Sequence, residues 1–161
     1  MHFNGYHIAQ MNIARMQAPL EDPVMAGFVA KLEEINQLAD DSPGFVWRFQ
    51  SEGGDSTYLR PYDDDRILFN MSVWESVDSL KRYVYKSAHS EVMRNRREWF
   101  EKMSDAYSVL WWIKAGNIPS VREAKLRLEY LQKNGPSKHV FTFKKWYEPY
   151  DLVEKSFLDL A

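Results

Sequence analysis

Two amide side chains, Gln10 and Asn12, stand one residue apart in a run whose apolar and polar positions alternate, so both project from one side of an extended chain. Asn70 and Trp74 lie in a second run of this kind, and Arg48 lies in a third. An Asn or Gln inside a sheet has to satisfy both ends of its amide. Tyr83 and His89 follow on a helical stretch, with Arg97 and Trp99 beyond it. Polar groups from adjacent strands, facing a helix that carries a phenol and an imidazole, make a polar floor in an apolar cleft. That is the character of a small-molecule pocket. Plainer roles stay open beside this one: an amide that bonds a loop backbone, and an imidazole that caps a helix or bonds within the core.

Other chemistries lack their residues. The chain has no GxSxG elbow, no Walker loop, no GxGxxG and no HExxH. It has no cysteine, which removes disulfides, thiolate metal sites and cysteine nucleophiles. None of His2, His7, His89 and His139 is spaced with a second ligand on one turn of a convincing helix, so no metal site is expected. Asp63, Asp64 and Asp65 are adjacent, and adjacent side chains diverge on an extended chain, so they read as a solvated hairpin tip. The basic segment Arg94–Glu98 is one short patch, either a solvated helix end or an anion contact.

The elements that position these groups are legible from spacing. Tyr6 to Ala14 alternates as a strand, with Ile8, Gln10 and Asn12 on one face and Ala9, Met11 and Ile13 on the other. Asp22 as N-cap and Pro23 in the first turn open a helix with Met25, Phe28, Val29, Leu32, Ile35 and Ala39 in its apolar stripe. Lys31, Glu33, Glu34 and Asn36 fall on its other side. Pro43 and Gly44 stop that helix. Phe45–Gln50 is a second strand, with Tyr58–Pro61 as a candidate extension, and Ile67–Trp74 is a third. Ser76 caps a second helix whose stripe of Leu80, Tyr83 and Val84 breaks near Ser87 and resumes through Val92, Met93, Trp99, Phe100 and Met103. Ser108–Lys114 is the fourth strand, and Ser120 with Glu123 forms a capping box for a third helix that ends at Asn134–Gly135. A short aromatic strand, Val140–Phe143, and a tail follow.

The order β-α-β-β-α-β with an appended helix is the split βαβ pattern of an α+β, ferredoxin-like fold. Residues 1–147 form this one domain, third helix included, and residues 148–161 are a C-terminal tail. Two helices cover one face of such a sheet. The opposite face is also apolar, and the economical cover is the same face of a second copy, giving a homodimer closed as an α/β barrel. Composition agrees with one globular core: 161 residues, 45% hydrophobic and 27% charged. A net charge of −2 gives no drive toward nucleic acid. No apolar run nears the roughly 18 residues of a membrane span, and the N-terminus lacks a signal-peptide core, so a cytoplasmic protein with no membrane partner is expected. Aromatic residues reach 15%, with six Trp and nine Tyr, which suits a core of large residues, a subunit interface or an aromatic ligand pocket.

The stretch MSVWESVDSLKRYVYKSAH resembles the strand–helix signature of antibiotic-biosynthesis-type monooxygenases. A longer series, IAQMNIARM, SPGFVWRFQ, NMSVWES, YVYKSAH, RREWF, LWWIKAG and GP…FTF, is similar to a bacterial family of unknown function, DUF3291, over about residues 6 to 147. That resemblance implies a dimeric α/β barrel and no particular reaction. Haem-degrading relatives in the wider superfamily use an Asn on the first strand, a Trp on the second helix and a His on iron. Asn12 and His89 fall on the corresponding elements, and Tyr83 stands where that Trp would be. Cofactor-independent monooxygenases of the superfamily hold and deprotonate electron-rich polycyclic substrates with Asn, Trp and His groups. The resemblance therefore makes His89 the candidate base or ligand, Asn12 the orienting amide and Tyr83 a third catalytic candidate, since imidazole titrates near neutral pH. Gln10, Arg48, Asn70, Trp74, Arg97 and Trp99 are the candidate ligand-binding residues. The reading is a monooxygenase-type enzyme for a hydrophobic or aromatic molecule, requiring no cofactor. A haem-binding or haem-modifying protein is one alternative, and a noncatalytic binding or assembly dimer is another.

Overall fold

In a computed structural model of the chain, residues 3–50, 61–86, 94–103 and 106–149 are described. Strand β1 (Tyr6–Arg15) leads through a short 3-10 turn (Pro23–Met25) into helix α1 (Ala26–Asp41). Strands β2 (Phe45–Arg48) and β3 (Ile67–Trp74), helix α2 (Val77–Lys86) and a single helical turn, α3 (Arg96–Trp99), come next. Strand β4 (Ser108–Lys114) and helix α4 (Val121–Asn134) complete the order. The strands form one sheet in the order β2-β3-β1-β4, and every neighbouring pair is antiparallel. This is the α+β, ferredoxin-like arrangement expected from the element order.

The boundaries follow from local chemistry. Asp22 accepts a hydrogen bond from the Val24 N–H at 2.9 Å and so caps the entry to α1. Ser42 is extended (ψ 139°), as a residue before proline must be, and ends the helix. Gly44 then turns with φ +84°, beside Ser79 at the start of α2. Ser76 and Ser79 cap α2 reciprocally: the Ser76 hydroxyl accepts from the Ser79 N–H at 3.1 Å, and the Ser79 hydroxyl accepts from the Ser76 N–H at 3.2 Å. Ser120 accepts from the Glu123 N–H at 3.1 Å, while the Glu123 carboxylate turns to Arg127 instead of closing the capping box.

Two readings shift at the sheet margins. β2 ends at Arg48, short of Gln50, although the Phe49 N–H still donates to the Met71 carbonyl at 2.8 Å, and a bulge between Phe45 and Trp47 shifts its register against β3. The segment after α4 does not add a strand; Phe141 makes one bridge to Leu110 at the β4 edge. The acidic trio stands just before β3, and its central member is engaged by the chain. Asp64 accepts the Arg66 N–H and pairs with Arg15, and these contacts, the backbone bond first, hold its carboxyl below the usual range.

The two sheet faces are covered by different helices of the same chain. Ile8, Trp74, Leu110 and Trp112 pack with Ala39 of α1 and with Val77 and Leu80 of α2. On the other face Ala9, Met11, Val73 and Trp111 pack under Ala124, Leu128 and Leu131 of α4. That second face was expected to need another copy. Helix α4 covers it instead, and Ala9, Met11, Val73 and Trp111 are fully buried within one chain. The physical reason is economy of closure: an appended amphipathic helix satisfies an apolar sheet face without association. A dimer that paired this face would have to displace α4. Among the described residues, no helix is long and apolar enough to cross a membrane.

Candidate functional site

The face under α1 and α2 is only partly filled, because the period-2 pattern of β1 places amides where a closed core needs apolar groups. Gln10 pairs in register with Ser72 of β3, and its Nε2 donates to the Ser72 hydroxyl at 2.8 Å. Trp74 donates its indole N–H to the same hydroxyl at 2.8 Å. Ser72 thus ties the Gln10 amide and the Trp74 ring into one fixed patch. Two residues along, Asn12 lies in register between Asn70 of β3 and Ser108 of β4. Asn36 reaches the same space from α1.

A cleft runs over this floor in two lobes of about 340 and 390 Å³. Asn12, Asn36, Asn70 and Tyr107 line both lobes, so the lobes adjoin at the asparagines. Phe28, Leu32, Ile35 and Phe100 wall the first lobe. Trp74, Leu80, Tyr83 and Leu110 wall the second. Among the described residues, no hydrogen bond within the chain engages the side-chain amides of Asn12, Asn36 or Asn70. Three amides from three elements are therefore available to a ligand as donors and acceptors.

The expected site residues divide. Gln10, Asn12, Arg48, Asn70, Trp74 and Tyr83 come together around the second lobe, and Arg97 lines the first. Tyr83 stacks on Trp74 with ring centroids 5.1 Å apart and donates its hydroxyl to the Ile35 carbonyl at 3.2 Å. Burial pushes this phenol up to about 12, against an opposing pull from Arg48, so it stays neutral near pH 7. Its ring walls the cleft while its hydroxyl fastens α2 to α1. Arg48 pairs with Asp40 at 2.8 Å, which balances its charge. Trp99 does not line the cleft. The single turn of α3 sends it inward against Phe28, Met16 and Met25, while Arg96 and Arg97 line the first lobe.

His89 and the expected break near Ser87 lie outside the described residues. Of the other histidines, His7 alternates onto the α4 side of β1, and His139 follows α4. No described residue lining either lobe is a histidine. The haem alternative needs an axial ligand, and its candidate is the same His89, so the described residues supply no histidine for it.

Asn36 is the residue that helical spacing set on the wrong side. Its signal was present: it stands four residues after Leu32 and next to Ile35, a polar residue at the border of the apolar stripe. Ser72 and Tyr107 were also missed. Ser72 could have been found from its register with Gln10, but Tyr107 precedes β4 and has no pattern of its own.

The fold has solved structures of similar shape. SnoaB, a cofactor-independent oxygenase from Streptomyces nogalater, aligns with 17% identity over 70% of this chain and 95% of its own, at a TM-score of 0.46. NE2512, a protein of unknown function from Nitrosomonas europaea, aligns with 11% identity over 73% of this chain and 99% of its own, also at 0.46. No curated protein matches the sequence. The family model described as Domain of unknown function (DUF3291) matches residues 7–156, nearly the whole chain including its cleft, and the protein belongs to that family.

Proposed function

We propose that this chain is a cytoplasmic small-molecule enzyme of the antibiotic-biosynthesis-monooxygenase type, holding a hydrophobic or aromatic substrate between its sheet and helices. The observation that carries the reading is the cleft itself. Its lobes, about 340 and 390 Å³, are of the size that houses a small organic ligand, and its apolar walls converge on the three asparagine amides. Walls of this kind exclude water and grip an aromatic skeleton. The amides orient the polar edge of the substrate, accepting from its hydroxyls and donating to its carbonyls. Proton removal is the role assigned to His89, the first imidazole after α2 in sequence. Oxygen is then the co-substrate of the deprotonated molecule.

Oxygen uptake with a panel of aromatic quinols tests this. Uptake by the wild type and a loss of roughly 10²–10⁴-fold in His89→Ala is the expected result. A quinol that binds without consuming oxygen moves the protein to a second reading, a noncatalytic ligand carrier. One feature favours that reading: the single described carboxylate on the cleft, Glu101, is already held by two arginines. A Soret band after reconstitution with haem, lost in His89→Ala, moves it to the haem alternative.

A further inference from the structure

We propose that the cleft takes an acid: an elongated apolar or aromatic molecule whose carbonyl or hydroxyl groups meet Asn12, Asn36 and Asn70 and whose carboxylate lies against Arg96, Arg97 and Lys102. The proposal rests on the cleft being the ligand site and adds the chemical class of the ligand.

It starts from charge. Among the described residues lining either lobe, Glu101 is the one carboxylate. Arg15 and Arg66 hold it at 3.1 and 2.7 Å, and Arg15 also holds Asp64 at 2.8 Å, so this group of four is neutral in sum. Asp40 balances Arg48 at the second lobe. The remaining charge on the cleft is positive: Arg96, Arg97 and Lys102 at the first lobe and Lys144 at the second. None of these four has an ion-pair partner among the described residues. Glu98 shares α3 with the two arginines but is exposed and does not line the cleft.

The backbone fixes the basic end. The Gln17 N–H donates to the Trp99 carbonyl at 2.7 Å, and the Glu101 N–H donates to the Arg15 carbonyl at 2.8 Å. These bonds tie the segment from Arg96 to Lys102 along the end of β1, and the neighbouring Trp99 is buried as its anchor. Charges of one sign beside low-dielectric walls focus their field into the cleft. The first lobe joins that field to the aromatic wall of Phe28 and Phe100, and the amide floor connects it to the second lobe. An apolar cation is repelled from such a site, and an apolar acid satisfies every part of it.

Two dyes that differ by one anionic group separate the possibilities: anilinonaphthalene sulfonate and its uncharged counterpart N-phenylnaphthylamine, each titrated by fluorescence into the full chain. The sulfonate should bind at least about fivefold more tightly, with a preference that shrinks as salt is added. The double variant Arg96→Gln/Arg97→Gln should weaken the sulfonate roughly five- to tenfold and leave the neutral dye unchanged. Arg94→Gln, an exposed change outside the cleft, should affect neither dye. If the double variant melts below the wild type, Lys102→Gln carries the test, with a weakening of about two- to fivefold for the sulfonate alone. Equal affinity for both dyes, unmoved by these variants, overturns the acid and leaves the cleft as a binding site. Binding of neither dye overturns both.

Discussion

At the scale of single residues, the cleft contains polar groups doing two different jobs, and substitutions separate them. The Gln10 Nε2, the Trp74 indole N–H and the Ser72 hydroxyl are spent on one another, whereas Asn12, Asn36 and Asn70 keep their amides for the cleft. Asn36→Ala should therefore raise stability by about 0.5 kcal/mol, because alanine is the better helix former and the amide bonds nothing. The same change should weaken ligand or dye binding. Thermal melts and a titration check both, and a variant that loses stability marks Asn36 as structural. Tyr83 is the contrasting case. Tyr83→Phe removes the bond from α2 to the Ile35 carbonyl, which keeps its partner within α1, and should cost about 1 kcal/mol. The phenol's pKa is raised in the fold, from 10.0 to about 12, so its neutral form is the one the fold favours. Its contribution is complete below pH 10 and is lost as the pH climbs toward about 12. Denaturant midpoints across that window should fall more steeply in the wild type than in Tyr83→Phe.

At the scale of elements, the cleft exists because α1 and α2 are held at fixed positions over an amide-bearing strand. The join between them is close. At Gly44 the backbone has φ +84°, and a Cβ there would lie 2.5 Å from the Cβ of Ser79, in the capping turn of α2. Neither the left-handed backbone nor the approach tolerates a side chain, since the obstructing atom is fixed by its own backbone. Gly44→Ala should cost about 1–3 kcal/mol. Because α2 must shift to accommodate it, the variant should also lose affinity at the second lobe while the slope of its denaturant transition stays unchanged. Wild-type stability in this variant would mean that the turn between α1 and β2 is not a fixed point.

At the scale of the molecule, the controlling feature is that one chain covers both faces of its sheet. Leu128 sits in the middle of the helix that covers the second face and is 2% exposed. Truncating such a leucine costs about 2–5 kcal/mol, and Leu128→Lys adds a charge with no buried partner. That variant should be destabilised by at least about 3 kcal/mol and should self-associate at micromolar concentration, seen by sedimentation, as Ala9, Met11 and Trp111 become exposed. A folded and unassociated Leu128→Lys chain would mean that α4 is dispensable to this face.

Much of the architecture was legible in the residues themselves, because helix caps and side-chain periodicity are local properties. Asp22, Ser76, Ser120 and Gly135 mark the ends of helices, and the alternation along Tyr6–Arg15 sets Gln10 and Asn12 on one face, whatever the rest of the chain does. Where those elements meet is not local. Helix α4 and a second copy could each cover the second sheet face, and only the path of the chain after β4 chooses between them. Asn36 borders its stripe and faces inward because β1 and β3 lie beneath it. Trp99 and Arg97 occupy one short turn, and the anchoring of that turn on β1 decides which of them meets the cleft. The pairing of Asp40 with Arg48 spans a helix end and a strand, so no period connects them. Sequence patterns thus determined which residues share a face, and tertiary packing alone decided what each face meets, because that depends on contacts between residues far apart in the chain.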